Sequence, residues 1–90
     1  MKNVSSQTKM IQSRFFQALE IAIQNGKIPG LQTFCKNHGL MRTKYQLLRT
    51  CNTDEPLYKS IDIDALQFIC EDFHVSPEWL LLGKGKMFVR

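Results

Sequence analysis

Gly39 stands between two short stretches whose apolar residues recur at helical spacing but in different phase, so a single helix cannot run through it. This one position sets the geometry of the middle of the chain. The spacing predicts one helix from Leu31 to about Asn37, broken off from what precedes it by Pro29-Gly30 and ended by Gly39 in a left-handed turn. A second helix follows after a turn of three residues, over about 42–50, with Tyr45, Leu48 and Leu40 directed inward.

The flanking sequence supplies partners for this pair. Ile11, Phe15, Leu19, Ala22 and Ile23 trace a helical stripe that begins at Met10 and stops at Asn25-Gly26, whereas residues 1–9 are polar and aperiodic and read as a flexible arm. Asn52, Thr53, Asp54 and Pro56 make Cys51–Tyr58 a long loop. Ile63, Leu66, Ile69, Cys70 and Phe73 then form another stripe, with Ser60 or Asp62 as N-cap. Val75-Ser76-Pro77-Glu78 is a helix start: serine caps, proline suits the first turn and glutamate complements the dipole. This short helix runs to Leu82 before Gly83 and Gly85, and Met87, Phe88 and Val89 in the basic tail either pack back or meet a partner. Ninety residues suffice for one core, so the expectation is an all-α, compact five-helix domain over residues 10–90.

Charge is segregated along the chain. Between Ile21 and Thr53 the ionised residues are Lys27, Lys36, Arg42, Lys44 and Arg49, with no acid; from Asp54 to Glu78 there are Asp54, Glu55, Asp62, Asp64, Glu71, Asp72 and Glu78 against Lys59 alone. One part can face a polyanion, and Lys84, Lys86 and Arg90 restore positive charge at the end. The longest apolar run, Trp79–Leu82, falls far short of the roughly 20 residues that span a bilayer. With no signal-peptide core either, and with the odd count of Cys35, Cys51 and Cys70, a cytoplasmic protein without disulfides is expected.

Reactive chemistry finds little footing. Cys35-x-x-His38 and Cys70-x-x-x-His74 have metal-ligand spacing, but both cysteines lie on apolar stripes and both histidines at helix C-termini, so no metal is expected. Asp62 and Asp64 flank Ile63 on different helix faces, and no phosphate loop, zinc-protease motif or serine elbow is present, so neither an enzyme nor a cofactor is expected.

The stretch Leu31-Gln-Thr-Phe-Cys-Lys-Asn-His-Gly-Leu-Met-Arg-Thr-Lys-Tyr-Gln-Leu-Leu-Arg-Thr50 resembles the helix-turn-helix of lambda-repressor-like (phage repressor, Xre-type) domains. The ending Phe73-His-Val-Ser-Pro-Glu-Trp-Leu-Leu-Leu-Gly-Lys-Gly-Lys-Met87 looks like the close of many such domains from phages and mobile elements, and the likeness covers most of Ile11 to Phe88. The resemblance implies a transcriptional repressor or regulator that binds double-stranded DNA, with the helix over about 42–50 in the major groove and Gly39 at the turn. It places Arg42, Thr43, Gln46 and Leu47, with Met41 beside them, at base edges: arginine to guanine, glutamine to adenine, threonine or leucine to a thymine methyl. Lys27, Gln32, Lys36, Lys44, Arg49 and Thr50 become phosphate contacts. It also implies binding as a homodimer, for which the fifth helix and the C-terminal tail offer a surface in this sequence.

Three departures qualify this mapping: Met41 stands where serine or threonine usually caps, Leu47 where a polar base contact is common, and Asp62 and Asp64 would repel phosphates from the fourth helix. A protein-interaction module, an adaptor or antirepressor that keeps the fold without specific DNA binding, is the alternative.

Overall fold

Polar residues, not apolar ones, begin the first helix. In the computed structural model, which describes residues 5–50 and 60–89, α1 spans Ser6–Gln24 and is capped by Ser5, whose hydroxyl oxygen accepts from Thr8 N–H at 3.1 Å. The arm expected over residues 1–9 is therefore helical from Ser6 onward. Apolar periodicity marks where a helix starts to pack, whereas the cap marks where its backbone bonds start. Gly26 at φ +73° turns the chain, and Lys27 N–H bonds back to Ala22 C=O at 2.9 Å.

Helices α2 (Leu31–His38) and α3 (Arg42–Thr50) follow the expected bounds closely. Gly39 between them is left-handed, at φ +66° and ψ 28°, and Leu40 N–H returns to Cys35 C=O at 2.9 Å. An added Cβ at Gly39 would have no atom within 4 Å, so only backbone strain opposes a larger residue. Gly39→Val is accordingly expected to lower unfolding free energy by about 1–2 kcal/mol. Urea denaturation checks this, and an unchanged midpoint would show that the turn tolerates a β-branched residue.

Helices α4 (Ile63–Phe73) and α5 (Pro77–Leu82) complete the set of five described helices. His74 ends α4 in the left-handed region, at φ +58°. Ser76 caps α5 by accepting from Trp79 N–H at 3.3 Å, with Pro77 in the first turn. The loop expected over Cys51–Tyr58 lies outside the described residues.

The core forms around α1, which packs on α3, α4 and α5, while α2 packs on α3. Phe15, Ala18, Leu19 and Ala22 of α1 meet Leu31, Phe34 and Cys35 of α2, Tyr45 and Leu48 of α3, Ala65 and Ile69 of α4, and Leu80 of α5. Two polar side chains lock α1 to distant parts of the chain. Gln12, buried, accepts from Ile61 N–H through Oε1 at 2.9 Å, which fixes the approach to α4. Arg14 donates to the carbonyls of Leu80 (2.7 Å) and Leu81 (3.0 Å), so it satisfies acceptors that the end of α5 leaves open. Gly83, at φ +71°, lies under this guanidinium: a Cβ there would come within 3.2 Å of it.

The tail packs back. Val75 and Phe88 form an isolated antiparallel bridge, with Ser76 N–H donating to Met87 C=O at 2.8 Å and Val89 N–H to His74 C=O at 2.9 Å. Met87 and Phe88 rest against the core, and no strand forms among the described residues. Of the apolar residues expected at a dimer contact, Leu81, Leu82 and Val89 remain exposed.

Candidate nucleic-acid interface

Seven of the nine residues of α3 divide between two faces, with Lys44 and Gln46 at the boundary. Tyr45 and Leu48 are buried against α1 and hold the helix down, while Arg42, Thr43, Leu47, Arg49 and Thr50 are exposed. Met41, just before the helix, is 66% exposed and supplies no side-chain cap; the helix opens instead on its carbonyl, which accepts from Tyr45 N–H at 3.2 Å. The outer surface therefore joins one cation, one hydroxyl and two apolar side chains at Arg42, Thr43, Met41 and Leu47. A duplex base edge can meet this set through guanine acceptors and thymine methyls.

Further along α3 the side chains engage one another. Gln46 is half-buried, and its Oε1 accepts from Arg49 Nη2 at 2.9 Å, so the amide is oriented by its neighbour one turn on. Thr50 Oγ1 donates back to Gln46 C=O at 3.0 Å. Its proton is directed at the helix backbone, on a residue that is itself exposed. This pattern is common for threonine within helices.

Lys44 has a partner within the domain. Expected at a phosphate, it instead places Nζ 3.0 Å from Asp62 Oδ1, and its side chain is only 19% exposed. Asp62 also accepts from the Tyr45 hydroxyl at 2.7 Å through Oδ2, while its own N–H donates to that hydroxyl oxygen at 3.3 Å. Asp62 was expected to repel phosphates; in the structure its charge is answered within the domain.

The hydrogen bond from Tyr45, with Lys44 beside it, holds the Asp62 carboxyl below the ordinary carboxylate range, against a smaller opposing effect of burial. Burial and the neighbouring Asp62 push the Tyr45 hydroxyl upward, so it stays protonated as the donor. A lowered carboxyl pKa stabilises the folded state above about pH 4, and this contribution is lost as pH falls through the folded value below that. The expected result is an acid-side loss of urea stability that is smaller in Asp62→Asn than in the unaltered protein. Equal acid-side losses in the two would remove Asp62 from the account.

The remaining expected phosphate contacts lie on other elements. Gln32 and Lys36 are exposed one turn apart on α2. Lys27, on the connection from α1 to α2, borders a depression formed with Asn25, Asp72, Phe73, His74 and Phe88, none of which belongs to α2 or α3.

Comparison of the chain with protein-family models, curated proteins and solved structures yields no match.

Burial raises the thiol pKa of Cys35 and of Cys70, which keeps both protonated rather than thiolate. His38 closes α2 onto α4: Nε2 lies 2.6 Å from Asp72 Oδ2, and the ring stacks on Phe68 with centroids 4.0 Å apart. Among the described residues no three histidine, cysteine or acidic side chains gather as a metal group would. No described helix is long and apolar enough to cross a membrane.

Sequence reasoning missed the Asp62 grip, the Gln12 and Arg14 anchors and the His38–Asp72 clasp. Each joins residues at least 17 positions apart, and local periodicity carries no signal for such pairs.

Proposed function

We propose that this chain is a sequence-specific double-stranded DNA-binding domain and a transcriptional regulator of the phage-repressor kind, with α2 and α3 serving as a helix-turn-helix. The observation that carries the reading is the exposed face of α3, where Met41, Arg42, Thr43 and Leu47 stand clear of a helix pinned by Tyr45 and Leu48. In this reading α3 lies in the major groove with Arg42 at a guanine, Met41 and Leu47 near thymine methyls, and Gln46 at an adenine. Arg49, Lys36 and Gln32 hold phosphates, which supply affinity and salt dependence. The absence of acids between Ile21 and Thr53 supports it, because a phosphate backbone meets no fixed negative charge there.

Dimerisation would place two such helices about one helical turn apart, ~34 Å, on a near-palindromic site. Leu81, Leu82 and Val89 are the apolar side chains still available for that contact.

Selection of bound sequences from a random duplex pool at physiological salt tests the proposal. Enrichment of a defined sequence is the expected result, and recovery of an unenriched pool would defeat it.

One observation favours the second reading, a protein-interaction module. A groove of about 680 Å³ between α1, α4 and α5 has Ile11, Ile61, Leu66, Cys70 and Leu80 among its lining residues, beside Ile63, which is 82% exposed. Apolar surface of this kind is a common mark of protein contact. No residue of α2 or α3 lines it. A defined sequence in the pool selection would favour the first reading over this one.

A further inference from the structure

Asp62 occupies the N-cap position of α4, yet its carboxylate makes no capping bond to that helix. Both oxygens turn toward α3 instead, one to Lys44 and one to Tyr45. A capping aspartate ordinarily satisfies an open N–H of its own helix, so this carboxylate is committed to a different element. Lys44 is correspondingly set apart from the other two cations of α3. Its ammonium lies 5.9 Å from the Tyr45 ring centroid and its side chain is mostly buried, whereas Arg42 and Arg49 are exposed. Asp62 itself is 44% exposed, on the edge of the pair nearer to solvent.

We infer that Asp62 acts as a built-in stand-in for phosphate, withholding Lys44 from DNA and thereby lowering the domain's affinity for duplexes of arbitrary sequence. The inference rests on the DNA-binding reading given above. A phosphate oxygen and a carboxylate oxygen offer the same charge-assisted acceptor to an ammonium group. While the carboxylate is in place the pair has no net charge, so a passing duplex gains no counterion release from Lys44 and meets an exposed anion beside it. Asp62 is then a positioning residue: it touches no base, but it fixes the stance of α3 and the number of cations the helix can present.

Salt dependence separates this role from a purely structural one. Asp62→Asn keeps an acceptor for the Tyr45 hydroxyl while removing the negative charge. Binding of the purified variant to a random-sequence duplex is expected to steepen by ~0.9 in the slope of log affinity against log salt, one additional phosphate contact. Between 50 and 200 mM salt this is roughly a 3- to 4-fold greater loss of affinity than the unaltered protein shows. The double variant Asp62→Asn with Lys44→Gln is expected to return to the original slope. Lys44→Gln alone is expected to leave the slope where it was, whereas a lysine already on a phosphate would lose ~0.9.

Circular dichroism establishes that each variant is folded, and the Lys44→Gln measurement keeps the test decisive if Asp62→Asn does not fold. An unchanged slope in folded Asp62→Asn, a steep slope retained by the double variant, or a reduced slope in Lys44→Gln would each overturn the inference. Failure of the unaltered protein to bind any duplex would instead overturn the DNA-binding reading itself.

Discussion

Phe15→Ala is expected to remove about 3–5 kcal/mol of stability, a large share of the roughly 5–14 kcal/mol that a domain of this size has in total. The ring is wholly buried and stands at the junction of three helices, with centroids 5.7 Å from Phe34 of α2 and 6.2 Å from Tyr45 of α3. It also meets Phe16 edge-on at 4.9 Å. Truncation to a methyl group forfeits the burial of the ring and leaves a void that rings on different helices cannot jointly fill. Thermal and urea unfolding followed by circular dichroism measure the effect. A loss below about 1 kcal/mol would mean that this residue does not join α1 to α2 and α3 as described. Because Phe15 packs on Tyr45, which seats α3, the same change is expected to loosen the seating of α3.

Arg42→Ala is the contrasting case, with a large effect on recognition and little on stability. Arg42 is exposed in the first turn of α3, so its removal leaves the core intact. Under the proposed DNA-binding function, discrimination at one base pair is expected to fall by about 1–3 kcal/mol, since the bidentate contact to guanine assigned there to Arg42 would be lost. Competition between the selected site and versions altered one base pair at a time measures this. Arg42→Lys is not expected to restore the discrimination, because an ammonium cannot reproduce the fork. Uniform weakening against every competitor would place Arg42 on a phosphate and pass the base-reading role to its neighbours.

Elements with a local cause were legible from the residues alone. Gly39 interrupts one helical phase and starts another, and it adopts the left-handed conformation that its position requires. Ser76-Pro77 opens α5 for reasons contained in four consecutive residues. The start of α1 was less legible, since Ser5 caps a turn with no apolar stripe to announce it.

Long-range electrostatics were the least legible part of the candidate surface. Lys44 follows Arg42 by two residues and looks equivalent in sequence, but that spacing carries it to the flank of α3, at the boundary between its exposed and buried faces, where Asp62 waits at the entrance to α4. Asp62 in turn looked like an obstacle to phosphate because its partners lie 17 and 18 residues earlier. The bundle itself does not choose between a DNA partner and a protein partner, since the same scaffold can present either surface.

Arg14 and the carbonyl of Leu80 are 66 residues apart in the chain. During synthesis α1 is made well before the part of α5 that completes this contact, so its apolar stripe can meet α2 and α3 early but stays partly uncovered until α4 and α5 are added. A nascent chain halted before Leu80 would present that apolar stripe to whatever is nearby. Chaperone dependence and premature aggregation are therefore expected to track the time taken to reach α5 more closely than the final stability of the domain.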